Sequence, residues 1–362
     1  MARRETYIFI GGRRRGGGFR RGLTWTLITL AALLLLTGVI NYILLNRVLL
    51  KTRSVTVADL PSALEQYSIL HLSDQHGAVM GQDQNGFSQA VSGRSYSAIV
   101  MTGDMLPPGG KTANVIRLIQ QLPSGQPILY LPGDEDPDYL DSEPHDNASP
   151  YADWALTLQN YGVTILDEPY LVARGKNGQD RIWFVPESLY SLNLDQFESN
   201  WRGQLQALNG RGSLSAYEAA RRRVCEYQVA RAESIRAKLK DMRTTDVQVV
   251  VSHTPITQEY MTTLMNWSER GAVFSIRQAS LILAGHYCGG QWRLPGLGPV
   301  YVPELGWFPG DEGVSGWNWV GGIPQHISPG LGGSANAYPP WMPFRLFNLP
   351  DATVIYLTAR LT

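Results

Sequence analysis

The sequence predicts an α/β body that follows an N-terminal transmembrane helix. Residues 23–45 form an apolar run, and behind them short β-branched runs alternate with stretches that favour helix. This alternation is typical of an α/β fold. The chain has 362 residues, 44% of them hydrophobic, so a sizeable core can form.

The apolar run carries no charged residue. As a helix it is about 34 Å long at ~1.5 Å per residue, and a bilayer's hydrocarbon core is roughly 30 Å thick. The run is too long for the apolar part of a signal peptide, and no small-residue cleavage site follows it. A buried core helix shows a polar face, which this run lacks. We therefore expect residues 23–46 to be a retained membrane anchor.

Charge is distributed unevenly around the anchor. Seven arginines precede it, and only Arg47, Lys51 and Arg53 follow closely. The positive-inside rule places residues 1–22, a basic tail, in the cytoplasm, and the body outside the membrane of a single-pass cell-membrane protein. Residues 54–362 carry 21 basic and 30 acidic side chains. An acidic body argues against nucleic acid as a partner and leaves the membrane as the expected partner of the tail.

The sequence predicts that the body, residues 54–362, is one domain. A helical insertion is predicted at about 187–245, where the chain is polar and its residues favour helix. Glycine-rich residues 306–333 predict loops and short strands. Helices are predicted at 115–122 and 152–161. Strands are predicted at 67–72, 98–102, 128–131, 181–185, 247–252 and 281–284.

Side chains that can ligate metals follow five of these strands. Because sites in open α/β sheets form at the carboxyl ends of strands, we expect these side chains to converge. Carboxylates and imidazoles suit zinc, manganese or iron, and two ions need about seven protein donors. Glycines precede Asp104, Asp134 and His286 and are expected to let the backbone turn sharply. Asp136 and Asp138 are expected to be solvated loop residues, with support of the ligands from behind as the alternative. The predicted ligands are Asp74, His76, Asp104, Asp134, His253, His286 and Cys288.

These motifs resemble the calcineurin-like metallophosphoesterases. Asp-x-His after a strand, Gly-Asp, a Gly-Asn-His-Asp-like segment at 133–136, a further His and Gly-His-x-Cys follow that family's order. Gly289-Gly290-Gln291 and the Pro-Gly-Leu-Gly segment at 329–332 resemble a membrane-anchored bacterial branch, some of whose members cleave lipid-A precursors. The resemblance covers residues 55–360 apart from the insertion. It implies a layered β-sandwich flanked by helices and two divalent ions.

The resemblance also implies roles for the ligands. Asp74, His76 and Cys288 would hold a first ion. Asp134, His253 and His286 would hold a second, and Asp104 would bridge both. A metal-bound hydroxide would then attack phosphoester or pyrophosphate bonds.

Three positions depart from the family pattern. Asp134 replaces an Asn, Glu135 replaces the His that assists the leaving group, and Cys288 replaces the last His. Glu135 can serve as a general acid, so Glu135 and Asp104 are the expected catalytic residues. A Cys288 thiolate favours zinc. Four anionic ligands weaken the Lewis acidity of the two ions.

The expected function is hydrolysis of a phosphorylated small molecule or lipid-linked substrate. The alternative is a catalytically weak relative that binds metal or ligand as a sensor or scaffold. A third possibility is a disulfide between Cys225 and Cys288 that disables the first metal site.

Overall fold

The computed structural model describes residues 16–144, 148–268 and 271–359. The first fifteen residues of the predicted basic tail lie outside these ranges. The chain divides into an N-terminal segment that ends at Leu44 and a body, Leu45–Thr362, each described by itself.

The N-terminal helix, α1, spans Gly16–Leu45. Its part Arg21–Leu45 is long and apolar enough to cross a membrane, as an anchor or as a signal sequence. Large apolar side chains along it, such as Leu34 and Leu35, are exposed, which excludes a helix buried in a protein core. The orientation of the chain in a membrane stays a prediction.

The body consists of strands and helices that alternate over most of its length. The helices are α2 Asn85–Val91, α3 Ala113–Ile119, α4 Asp153–Asn160, α5 Leu194–Asn209, α6 Ala216–Asp241 and α7 Gln258–Trp267. The strands are β1 Leu49–Thr56, β2 Ser68–Leu72, β3 Ala98–Thr102, β4 Ile128–Leu131, β5 Val163–Ile165, β6 Tyr170–Arg174, β7 Asp180–Pro186, β8 Val247–Val251, β9 Ala279–Ala284, β10 Arg293–Leu294, β11 Gly298–Pro299, β12 Tyr301–Val302, β13 Gly306–Trp307, β14 Gly316–Val320, β15 Ile323–Ile327 and β16 Asp351–Thr358.

The longer strands form two six-stranded sheets. The first has the order β1-β16-β2-β3-β4-β5, and the second has the order β14-β15-β9-β8-β7-β6. Strands β2 to β5 are parallel to one another, as are β7, β8, β9 and β15. Parallel strands buried on both faces are apolar throughout, which explains the continuous runs in β3 and β8.

The two sheets pack against each other between layers of helices. One hydrophobic cluster contains Val100 of the first sheet and Val249 of the second. Met101, on the opposite face of β3, packs in a cluster with residues of α2, α3 and α4. Val250, on the opposite face of β8, packs in a cluster with residues of α6 and α7. The body is therefore a mixed α/β structure whose sheets are flanked by helices.

The predicted strands are confirmed, with β3 and β4 matching their expected bounds and the others shifted by one or two residues. The predicted helices correspond to α3 and α4. Helices α5 and α6 lie between β7 and β8, and β1 begins at Leu49, before the domain start expected at residue 54. Strands β2, β3, β4, β8 and β9 carry the predicted ligands beyond their carboxyl ends, so ligands come from both sheets.

Candidate metal centre

The structure brings all seven predicted ligands together. Asp104, Asp134, His253 and His286 each place one ligand atom within 4.8 Å of the others, and we call these four residues the open group. It is open because the Asp134 side chain is 62% exposed.

A second set lies beside the open group. Asp74, His76 and Cys288 also place one ligand atom each within 4.8 Å of one another, and we call these three residues the closed group. Asp74 and Cys288 are fully buried. His76, Asp104 and Glu135 form a third set that joins the two groups.

The loops that present these side chains hold an uncommon backbone conformation. Five of the seven residues have a positive φ, at a cost of about 1–3 kcal/mol each for a non-glycine residue. Such residues persist only where their surroundings hold them, and they cluster at functional sites. The five are Asp74 (48°), His76 (45°), Asp104 (52°), His286 (75°) and Cys288 (45°).

The three glycines that precede ligands act mainly through their small size. Gly103 has a φ of +90°, as expected for a sharp turn. Gly133 and Gly285 show no such turn, and the expectation for them is wrong. A Cβ at Gly133 would overlap the Asp104 carboxylate, and a Cβ at Gly285 would overlap Ser73 and Asp74. These positions are glycine because two loops meet there.

His253 is oriented by a main-chain carbonyl. Its Nδ1 donates to the Thr102 carbonyl oxygen at 2.7 Å, so its Nε2 faces Asp104 Oδ2 at 3.2 Å and Asp134 Oδ1 at 2.7 Å. Burial alone lowers the pKa of His253, but these two carboxylates raise it well above its usual value overall. The surroundings of Nε2 therefore favour positive charge, and a divalent cation meets the same demand.

His286 has a carboxylate behind it. Its Nε2 lies 3.1 Å from Glu304 Oε1, and its Nδ1 lies 3.2 Å from Asp134 Oδ1 and 3.1 Å from His253 Nε2. A carboxylate that accepts from one ring nitrogen leaves the other nitrogen free to ligate, as in many metal sites. Hydrogen bonds from the two imidazoles hold the pKa of Asp134 well below its usual range.

The closed group collects negative charge away from water. Cys288 Sγ lies 3.4 Å from His76 Nε2 and 3.9 Å from Asp74 Oδ1. Burial raises the pKa of Cys288 well above its usual value, and the Asp74 charge adds to this shift. Burial also raises the pKa of Asp74. A cation bound here would stabilise both anions, and a set of carboxylate, imidazole and thiolate suits zinc.

His76 supplies a further indication that the donor set fits metal ions. Its buried Nδ1 has no hydrogen-bond partner among the described residues, although Glu135 Oε2 lies 3.7 Å away. Unpartnered buried nitrogens are costly, and they are accounted for when the ring is held by an ion.

Asp136 organises the loops that carry the open group. Its carboxylate accepts from the backbone nitrogens of Asp104 at 2.8 Å, Leu106 at 3.0 Å and Gly133 at 2.8 Å, and also from the Tyr130 hydroxyl. The expectation that Asp136 is solvated is wrong, since it is buried, and the alternative of a supporting role agrees with these hydrogen bonds. In the sequence Asp136 lies in a loop with other acidic residues, so no pattern distinguishes its structural role from theirs.

Other contributors carry no motif at all. Glu135 accepts hydrogen bonds from Ser334 and from Asn336 Nδ2, the latter at 3.1 Å. Buried Arg345 donates to the carbonyls of Pro329 and Leu349, each at 2.9 Å, and so joins the loops beside Asp74. Their partners lie far away in the chain or in irregular loops, where no periodicity marks them.

The two cysteines of the chain are both buried and free. The alternative expected from the sequence, a disulfide between Cys225 and Cys288, is therefore not formed.

A buried histidine pair lies between the two sheets. The Nδ1 atoms of His71 and His326 are 2.8 Å apart, and His71 Nε2 contacts Thr102 Oγ1 at 2.9 Å.

Comparisons with known proteins add little to this geometry. The sequence matches no family model and no curated protein. Among solved structures, the crystal structure of phosphopantetheinyl hydrolase from Mycobacterium tuberculosis is similar with a TM-score of 0.35 and 13% identity, over 74% of this chain and 91% of that chain. That similarity is too low to assign a fold family or an activity.

Proposed function

We propose that this protein is a membrane-anchored, metal-dependent hydrolase of phosphoester or pyrophosphate bonds. The observation that supports it best is that the open group and the closed group lie side by side, at the carboxyl ends of strands from both sheets. Asp104 belongs to the open group and also lies beside His76 of the closed group. Adjacent sites with carboxylate and imidazole donors suit a pair of divalent ions. The metallophosphoesterase-like layering suggested by the sequence motifs is part of the same proposal.

We propose roles for these residues that are consistent with their positions. Asp134, His253 and His286 would hold one ion, Asp74, His76 and Cys288 the other, and Asp104 would bridge them. Two such ions supply Lewis acidity toward phosphoryl oxygens and lower the pKa of water. Glu135 accepts hydrogen bonds from Ser334 and Asn336 near His76, and in this proposal it would pass a proton to a leaving oxygen. We propose a phosphorylated small molecule or lipid-linked compound as substrate, and no nucleic acid.

Turnover by the full chain tests this proposal. The chain is purified in detergent and incubated with aryl phosphate mono- and diesters plus zinc or manganese. Asp104→Asn should lower turnover by at least about 100-fold, because it removes a ligand charge that both sites use. Asp138→Asn, in the neighbouring acidic loop, is the matched control and should retain activity. Two bound ions without turnover would instead support the sensor or scaffold alternative.

Metal analysis of the purified protein tests the role of Cys288. We expect zinc in the closed group, because a buried thiolate prefers a borderline ion over magnesium. Cys288→Ser should lose about one zinc per chain, whereas Cys225→Ser should lose none. Stoichiometric magnesium with no transition metal would contradict the assignment.

The anchor is tested by intact mass. A retained α1 gives the full mass after extraction from membranes, and a cleaved signal sequence gives a mass that lacks it. Protease added to intact cells should digest the body if the N-terminus is cytoplasmic, as the distribution of arginines predicts.

A further inference from the structure

A group of aromatic side chains lies on the body beyond the metal centre. We call it the aromatic surface. Several of its members are large and about half exposed, with Trp307 at 60%, Phe308 at 57%, Phe344 at 49% and Trp341 at 47%. Contiguous exposed apolar surface of this kind marks an interaction site more often than isolated apolar residues do. The surface consists of Trp292, Tyr301, Trp307, Phe308, Trp341 and Phe344.

The rings of this surface touch one another in sequence. Trp307 and Trp341 stack with centroids 5.7 Å apart and planes 6° apart. Trp341 meets Trp292 at 5.6 Å, and Trp292 meets Phe344 at 5.8 Å. Phe308 lies 6.3 Å from Trp307. These ring contacts make the aromatic surface contiguous.

The inner side of the surface is accounted for by packing, but its outer side is not. Trp292 and Tyr301 pack against the cluster of Cys288, Tyr338 and Met342. The outer rings, Trp307 and Phe308 among them, are left exposed. Packing against this cluster accounts for the buried side of the aromatic rings. It does not account for the apolar area that the outer rings expose.

The surface reaches the point where the chain enters the body. Leu45, the last residue of α1, lines a groove of about 190 Å³ together with Val79 and Phe344. Asn46 is fixed there, because its Oδ1 accepts from the Gly81 backbone nitrogen at 3.0 Å. The aromatic surface therefore adjoins Leu45 and Asn46, the first residues of the body. Tryptophan and tyrosine are the residues that concentrate at the membrane–water interface.

The segment that carries most of the aromatic surface offers no basic side chain for binding anionic headgroups. Between residues 294 and 344 the chain has no lysine and no arginine. Two of the acids there are occupied, Glu304 by His286 and Asp311 by Arg293. Basic clusters bind anionic headgroups, whereas a surface without them associates through buried apolar area.

We infer that the aromatic surface lies in the headgroup region of the bilayer that holds α1, with Trp307, Phe308 and Trp341 inserted. This inference rests on the proposed anchor. It places a defined face of the body on the membrane, where a tether alone would leave the body free to tumble.

A site-specific fluorescent label tests the contact. The full chain carrying Phe308→Cys is labelled with a polarity-sensitive fluorophore and reconstituted into nanodiscs of phosphatidylcholine with a nitroxide on the upper acyl chain. Cys225 and Cys288 are buried, which limits labelling elsewhere. Trp319→Cys is the matched control, because Trp319 is 69% exposed and lines a different cavity, at the amino ends of β8 and β9.

The label at position 308 should be blue-shifted and quenched by the nitroxide lipid, and the label at position 319 should be neither. Raising the salt concentration should leave the quenching unchanged. Adding Trp341→Ser should reduce the quenching at position 308, with circular dichroism verifying the fold.

The possible results separate the two proposals. Equal accessibility of both labels to aqueous iodide, with α1 retained, would overturn the membrane contact and leave the anchor intact. A label at position 308 that neither lipid nor iodide quenches would mean that protein, from this chain or a second copy of it, covers the surface, and would also overturn the membrane contact. Loss of α1 from the purified chain would overturn both. Turnover of soluble aryl phosphates is measured on the same samples. If turnover is unchanged when the membrane contact is absent, the hydrolase proposal stands independently of that contact.

Discussion

Two histidine pairs in this body have nearly the same geometry and opposite environments. His253 and His286 lie with ring centroids 5.0 Å apart and planes 83° apart, and His71 and His326 lie 5.0 Å apart at 70°. Both pairs bring ring nitrogens into contact. The first pair sits among the carboxylates of the open group, and the second is buried between the sheets.

Their surroundings shift the imidazole pKa values in opposite directions. The pKa of His253 and that of His286 are raised, because hydrogen bonds to Asp104 and Asp134 outweigh burial. Burial lowers the pKa of His71 to about 3 and that of His326 well below its usual value. Within the described residues, no carboxylate forms a hydrogen bond with the buried pair. Neighbouring imidazoles therefore attract a cation only where carboxylates accompany them.

The largest expected difference between the two histidine pairs is in their contribution to metal binding. His253→Asn removes Nε2 and can keep the hydrogen bond to the Thr102 carbonyl, and it should weaken binding by the open group by at least about 100-fold. His71→Gln can keep the contact with Thr102 and should bind as the wild type does. Zinc competition titration measures both. Equal losses in the two variants would show that fold disruption causes the effect.

The second-largest expected effect is a loss of protein stability in acid, caused by the buried pair His71 and His326. The folded-state pKa of His71 is about 3, below the value near 6.5 of an unfolded histidine. The unfolded chain thus binds more protons between these values, so the free energy of unfolding falls as pH falls, by about 1.4 kcal/mol per pH unit from this residue. Urea unfolding at pH 7 and pH 5 measures the loss. His71→Gln should reduce the pH dependence, and an unchanged slope would contradict the assignment.

The smallest expected effect concerns the carboxylate behind His286. Glu304→Gln keeps the size of the side chain and weakens its hold on the imidazole, and affinity for zinc in the open group should fall by about 10-fold. Glu312→Gln, in the same segment, is the control and should not change affinity. If Glu304→Gln binds zinc as the wild type does, Glu304 only packs against His286.

The strands that deliver the ligands were predictable because they are short, apolar and buried on both faces. β3 shows this most clearly, and Gly103-Asp104 directly follows it in the chain. Strand β1 was not predictable, since it is an exposed edge strand with Lys51 and Arg53 and no alternation. Glu304 and Arg345 were also beyond prediction. Their partners, His286 and the carbonyls near Pro329, reach them through irregular loops whose course no residue pattern encodes.

The first and last strands of the body are direct neighbours in one sheet. β1 pairs in parallel with β16, with Leu49 opposite Asp351, and β16 also pairs with β2. During synthesis β1 therefore acquires its partner only after residues 351–358 have been made, and such distant contacts form slowly. A chain terminated before residue 351 lacks an inner strand, and its first strand has no neighbour to bind. Pairing of β1 is consequently a late step in the folding of this body.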